Sequence, residues 1–341
     1  MYKNYNNGFT LKDSLKDSFG RIINNLRISV TDKCNFRCRY CMPEKGMVWM
    51  KKDELLTYEE IERLVKIFAE LGIKKIRLTG GEPLMRRDLH VLVRMISNIP
   101  GIVDLALTTN AYFLAEQAGN LVKAGLHRIN VSLDSLDPVK FSEMTRRNYF
   151  HKVWEGIEAV EALGISPIKI NVVLIRGINN DEILKFAHLA RKRAFVIRFI
   201  EFMPIGADDG WSMDKVLPTQ EIMETMEHGL CMKLVPIEYR GSQPADRFMF
   251  EDGVGDIGFI SSVSDPFCNN CNRIRLTSDG KLRTCLFSLK ETDFKKPLRE
   301  GADDETIKEV LADAVWKKEP GHLINSPGFV RPSRTMSQIG G

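Results

Sequence analysis

Between residues 26 and about 202 a short apolar run gives way to a longer amphipathic segment, repeatedly. Strand-like runs fall at 26–31, 75–79, 105–108, 128–133, 168–174 and 196–200. The clearest intervening helix opens at Thr57, where T-Y-E-E reads as a capping box, and closes at Gly72. Others are expected at about 87–97, 113–124, 150–163 and 181–192. Strand alternating with helix in this way predicts parallel pairing through right-handed crossovers, and so the α/β class.

The strands carry a second signal. Arg27 lies between Leu26 and Ile28, Lys75 and Arg77 flank Ile76, Lys169 lies between Ile168 and Ile170, and Arg198 follows Ile197. Successive side chains in a strand point to opposite faces, and crossover helices must cover the apolar one. The basic parity then faces the interior. A complete eight-stranded barrel fills that interior with branched apolar residues, whereas buried cations without partners are costly. The expectation is an incomplete (β/α)6 TIM-like barrel around a wet, cationic cavity that holds an anion. The competing arrangement is an open sheet with helices on one face and solvent on the other.

After residue 203 frequent Pro and Gly break the chain, and runs at 233–236 and 257–263 read as hairpin strands. The expected organisation is an N-terminal extension over 1–20, the partial barrel over 21–203, and a C-terminal α+β region over 204–330 that caps the open side. That region would end in a helix at about 303–316, and a flexible tail would follow over 331–341, ending Gly-Gly.

The 341 residues hold 49 Lys and Arg against 45 Asp and Glu, a net charge of +4, so charge alone does not point to nucleic acid and any electropositive site must be local. No apolar run is long enough to span a membrane, and the polar N-terminus lacks a secretory h-region. The expected location is the cytoplasm, where seven cysteines are better read as metal or redox ligands than as disulfides.

Six of them form two groups. Cys34, Cys38 and Cys41 give C-x3-C-x2-C just after the first strand. Three thiolates suit a [4Fe–4S] cluster with one iron left open. A zinc site completed by a distant His or Cys is the alternative. Cys268 and Cys271, with Cys285 further on, make a second group of three; here a zinc ribbon competes more strongly. Cys231 reads as a core cysteine. Arg273 and Arg275 follow Cys271 at i, i+2, a spacing that suits phosphate or carboxylate. G-G-E-P at 80–83 lets a ligand approach the backbone and then starts a helix with proline.

C-x3-C-x2-C with Tyr40 before the last cysteine, followed by G-G-E-P after the second strand, resembles the radical S-adenosylmethionine (SAM) superfamily. R-I-S-V-T-D-K-C-N-F-R-C-R-Y-C-M-P, L-T-T-N, I-N-V-S-L-D, F-C-N-N-C-N-R-I-R-L-T-S-D-G and the terminal Gly-Gly resemble, more narrowly, the GTP 3′,8-cyclase family of molybdenum cofactor biosynthesis, over about 20–341. That resemblance implies two [4Fe–4S] clusters, on Cys34, Cys38 and Cys41 and on Cys268, Cys271 and Cys285. It implies SAM contacts at Tyr40, Gly81, Ser132 and Met203. It implies GTP contacts at Arg27, Arg77, Thr108, Lys169, Arg273 and Arg275, with Lys75 and Arg198 helping at the triphosphate.

In that family SAM chelates the open iron and yields a 5′-deoxyadenosyl radical. The radical takes hydrogen from the ribose C3′ of GTP, and the sugar closes onto C8 of guanine. Gly340 and Gly341 resemble the family's catalytic tail, which reaches into the active site. The implied partners are an electron donor of flavodoxin or ferredoxin type, a downstream cyclic pyranopterin monophosphate synthase and, as an assembly open to the family, a second copy in a homodimer. The alternatives are a radical SAM enzyme of peptide-maturase type and, from another class, a zinc-stabilised nucleic-acid-binding protein. The basic strand set and Arg273 with Arg275 favour a nucleotide over a peptide, and the balanced charge disfavours the nucleic-acid binder.

Overall fold

The computed structural model describes residues 14–206, 210–238 and 243–340. The first part follows the expected alternation. It runs β1 (Asn25–Ser29), α1 (Tyr58–Glu70), β2 (Lys75–Thr79), α2 (Leu89–Ser97), β3 (Asp104–Thr109) and α3 (Leu114–Lys123). It continues with β4 (Arg128–Ser132), α4 (Pro138–Thr145), α5 (Phe150–Ala162), β5 (Ile168–Leu174), α6 (Ile183–Lys192) and β6 (Phe195–Glu201). Neighbouring strands pair in parallel in sequence order. α1 starts where expected: the Thr57 hydroxyl accepts the Glu60 N–H, and the Glu60 carboxylate accepts the Thr57 N–H. Its apolar stripe (Ile61, Leu64, Val65, Phe68) joins Leu26, Ile28, Ile76 and Leu78 in one core cluster with the other helices. Each such side chain removed from water contributes about 1.5–3 kcal/mol.

The C-terminal part comprises α7 (Thr219–Leu230), β7 (Leu234–Glu238), β8 (Asp246–Phe250), β9 (Asp256–Ile260), β10 (Arg273–Leu276), β11 (Lys281–Arg283), β12 (Thr292–Asp293), α8 (Lys295–Arg299), α9 (Asp304–Trp316) and α10 (Met336–Ile339). Its strands build no separate sheet. They extend the barrel sheet at both edges, in the order β12-β11-β10-β1-β2-β3-β4-β5-β6-β9-β8-β7, and the sheet stays open. β9 lies parallel to β6 and β10 parallel to β1. The segment 261–272 therefore passes from one edge of the barrel to the other across its open side.

Four features depart from the sequence reading. α4 and α7 were not expected; Pro218, one of the breakers after residue 203, stands at the N-cap of α7, and Pro138 stands at N1 of α4, where proline's missing N–H costs nothing. Cys231 is not a core residue: it is exposed, in the left-handed conformation (φ 51°) at the C-cap of α7. The tail is not loose as far as it is described. Ile339 at the end of α10 is fully buried in a second, smaller core with Ile205, Val263, Phe287 and Ile324. Finally, residues 14–20 pack on the barrel: Leu15 is buried, and its N–H donates to the Leu71 carbonyl. Residues 1–13 of the expected extension, and Gly341, lie outside the described residues.

Candidate active site

One cavity opens at the C-terminal ends of the parallel strands and is walled on its open side by 261–272. Among the sequence-predicted residues it is lined by Arg27, Cys34, Cys38, Tyr40, Cys41, Arg77, Gly81, Thr108, Ser132, Arg198, Met203, Cys268, Cys271, Arg273, Arg275 and Cys285. Lys75 and Lys169 do not form its wall. Lys75 pairs with Asn25 at the far end of β2. Lys169 lies below the floor, within the field of Arg198, Arg128 and Arg77.

The first cysteine loop is fixed from several sides. The Gly81 N–H donates to the Thr31 carbonyl and the Glu82 N–H to the Lys33 carbonyl, both at 2.7 Å. A Cβ on Gly81 would stand 2.3 Å from the Lys33 carbonyl oxygen, so only glycine permits this approach. Arg146 donates to the Arg37 and Met42 carbonyls, and Arg147 to that of Asn35. Cys34 Sγ accepts the Phe36 N–H at 3.4 Å and faces Asn110 Nδ2 at 3.9 Å.

Two buried acids sit beside this loop. Glu82 accepts from Thr109 Oγ1, the Asn110 N–H and the Leu84 N–H, and Asp134 accepts from Tyr40 Oη at 2.6 Å and the Val173 N–H. Burial outweighs these bonds and raises Glu82 to about 7 and Asp134 to about 6. Burial, with neighbouring negative charge, pushes the Cys34 and Cys41 thiols up to about 12.

The second triad joins two loops. Cys268 and Cys271 lie in the β9–β10 crossing, and Cys285 follows β11. Arg21 braces it, donating to the carbonyls of Cys268, Glu319 and Pro320 while paired with Asp17. Its electrostatics are mixed: burial raises the Cys285 thiol as it does those of the first triad, whereas Cys271 goes the other way. Burial raises the Cys271 thiol, but Arg273, 3.5 Å from its sulfur, and the Lys318 ammonium outweigh that and bring it down to about 6.

Among the described residues no three His, Cys, Asp or Glu side chains converge to hold a single metal ion. The thiolates of a cluster surround a core of several atoms and stand further apart than the ligands of one tetrahedral ion.

The floor is cationic. Arg27 is in register with Arg77 on one side and Arg275 on the other. Burial and then the neighbouring guanidiniums push Arg27 and Arg198 well below the usual arginine range, Arg77 to about 10, Arg275 to about 9 and Lys169 to about 7. Such crowding of like charge is unfavourable until an anion enters. Arg27 Nε, Arg198 Nε, Thr108 Oγ1 and Asn171 Oδ1 are buried without hydrogen-bond partners. Arg275 donates to the carbonyl of Gly340, whose φ is +87° and where a Cβ would stand 2.5 Å from Thr79 Oγ1.

Sequence reasoning missed Asp134, Asn171, Lys318, Arg21 and His322 as members of this site. Asp134 carried a usable signal, as a polar residue just past the C-terminal end of β4, and Asn171 lies mid-strand in β5 on the same polar parity as Lys169. The other three come from segments whose return to the site no local pattern announces.

An open parallel α/β barrel with a three-cysteine loop after its first strand defines a radical SAM protein, and residues 28–190 match the Radical SAM superfamily. A [4Fe–4S] cluster and SAM come with that class. Residues 195–324 match the family described as Molybdenum Cofactor Synthesis C. The chain is 45% identical to the GTP 3′,8-cyclase of Pelotomaculum thermopropionicum over 96% of its own length and all of the relative. It is 48% identical to that of Syntrophomonas wolfei subsp. wolfei over 95% of its length and 99% of the relative. The chain belongs to the GTP 3′,8-cyclase family. Its fold is shared, at 13% identity, with Streptococcus suis SuiB bound to S-adenosylmethionine, with a TM-score of 0.61 over 91% of this chain and 76% of that one.

Proposed function

We propose that the protein converts GTP to (8S)-3′,8-cyclo-7,8-dihydroguanosine 5′-triphosphate, the first step of molybdenum cofactor biosynthesis. The observation that carries this reading is the set of buried, mutually repelling cations on the floor of a cavity that also holds two cysteine triads. A triphosphate carries about four negative charges and gives that set a use.

On this reading Cys34, Cys38 and Cys41 hold the radical-generating [4Fe–4S] cluster, and the N–H groups of Phe36 and Asn110 support the Cys34 thiolate. With SAM bound, that cluster supplies a 5′-deoxyadenosyl radical. Tyr40, Gly81, Ser132 and Met203 contact SAM, with Gly81 offering bare backbone. SAM is a cation at its sulfonium and ammonium, and its arrival would favour the charged forms of Glu82 and Asp134, which burial otherwise holds up at about 7 and about 6. Cys268, Cys271 and Cys285 hold a second [4Fe–4S] cluster at the base. Arg27, Arg77, Arg198, Arg273 and Arg275 bind the triphosphate with Thr108, and Lys169 and Lys75 add field from outside the wall. Gly340, whose carbonyl accepts from Arg275, closes the site from the tail. The β9–β10 crossing walls the open side of the cavity, and shielding from water there would protect a reactive radical from side reactions.

An electron donor of flavodoxin or ferredoxin type, hand-over of product to a cyclic pyranopterin monophosphate synthase, and a homodimer belong to the same reading. No helix among the described residues is long and apolar enough to cross a membrane.

Anaerobic iron and sulfide analysis tests the site: two clusters require roughly eight iron per chain, and zinc without labile sulfide overturns the reading. Incubation of the reconstituted protein with GTP, SAM and dithionite should give 5′-deoxyadenosine and a cyclised guanosine product.

A further inference from the structure

The wall beside Cys268, Cys271 and Cys285 includes Phe267, Leu286, Phe287 and His322. It is aromatic and apolar where the strand floor is cationic, and His322 is the heterocycle in it. The imidazole edge meets Phe287, with ring centroids 5.5 Å apart at 61°. Nδ1 accepts the Ile324 N–H at 3.4 Å. A neutral imidazole that accepts at one nitrogen carries its hydrogen on the other, so Nε2 is the donor. Burial favours the neutral form, offset in part by the Ser262 backbone. Nε2 itself is buried and makes no hydrogen bond of good geometry among the described residues, the Ser262 backbone acting on the ring only weakly. The backbone just before it is pressed onto the second triad, since a Cβ on Gly321 would stand 3.2 Å from Cys268 Sγ. A fixed, buried N–H donor therefore belongs to the apolar end of the cavity, and leaving it unpaired is costly.

What would pair it follows from the shape of a nucleotide. The triphosphate goes to the cations, and a flat base prefers aromatic walls with a few placed polar groups. A 6-oxo purine presents two acceptors, O6 and N7, along one edge; a 6-amino purine replaces the first with a donor. We propose that His322 selects a 6-oxo purine nucleotide by donating its Nε2–H to O6 of the base. This rests on the cavity taking GTP. It assigns His322 a part in base choice, a role distinct from holding either cluster.

The test uses the full chain, reconstituted anaerobically with both clusters and with SAM present, and equilibrium dialysis of GTP, ITP and ATP. His322→Phe keeps the ring contact with Phe287 and removes the donor; His322→Gln keeps an N–H and removes the ring. Loss of one hydrogen bond to the base should weaken GTP and ITP about tenfold each in His322→Phe, with ATP changed by less than about twofold. His322→Gln should retain most of the preference for GTP over ATP. In both variants iron content and the spectra of both clusters should match the wild type. An unchanged GTP-to-ATP preference in His322→Phe overturns the assignment, as does an equal weakening of all three nucleotides, which marks a purely structural role. A wild-type protein that binds no GTP instead overturns the function itself.

Discussion

The two cysteine triads share one cavity but are built in opposite ways. The first occupies eight consecutive residues after β1 and lies beside two buried carboxylates, Glu82 and Asp134. The second is gathered from two loops, braced by Arg21, and lies beside Arg273 and Lys318. Burial acts on both, yet Cys41 stands at about 12 and Cys271 at about 6. Burial is the largest influence on each; the charge of Arg273 and Lys318 reverses the outcome at Cys271, while Cys285 in the same triad is still raised. The contrast teaches that charge is placed unevenly around the cavity, with carboxylates beside the first triad and cations beside Cys271 and on the strand floor between the triads.

The largest expected effect separates the two ends outright. Cys34→Ser should abolish SAM cleavage while the second triad still takes up about four iron per chain. Metal analysis showing no iron at all in that variant would mean the ends are not independent. Next is the floor between them. Arg27→Ala removes a cation in register with Arg77 and Arg275; a charged hydrogen bond is worth about 1.5–3 kcal/mol, so GTP should bind roughly 10–100-fold more weakly with both clusters intact. GTP affinity equal to wild type would break the assignment of the floor to phosphate.

A smaller effect follows from Lys169, which burial and then Arg198 hold down at about 7. As pH rises through 7 this ammonium loses its charge, so GTP affinity of the wild type should fall between pH 7 and 8.5. Lys169→Arg remains charged throughout and should flatten that slope. The sign for folding is the reverse: a cation whose folded pKa is depressed costs stability in full below about 7, and the cost is relieved progressively as pH rises from about 7 toward the ordinary lysine value. Urea unfolding of the protein without nucleotide should therefore show Lys169→Met gaining most over wild type below pH 7. The smallest effect is far from both ends. Thr57→Ala deletes the α1 cap and should lower stability by about 1 kcal/mol without altering GTP affinity; a change in affinity would mean that α1 communicates with the cavity.

Much of this was legible in the sequence because it is local. β2 and β5 fall on the expected residues, and Arg27, Arg77 and Arg198 line the cavity as strand parity requires. The first triad is contiguous, so its spacing sufficed. The rest depends on contacts distant in sequence. Nothing in R-I-R-L announces that β10 lies parallel to β1, yet that pairing places Arg275 beside Arg27. Pro218 falls among the breakers after residue 203 although it caps α7, because the same residue ends one element and begins another. Lys75 carried the right parity but sits at the wrong end of β2, a distinction that alternation alone does not make.

The contact between the Gly340 carbonyl and Arg275 has a consequence for how substrate arrives. A guanidinium already satisfied by the chain's own last turn is spared isolation, but it must surrender that partner before a phosphate oxygen can replace it. Loading is thus an exchange of one oxygen for another, and the measured affinity reports the difference between the two and not the full strength of either.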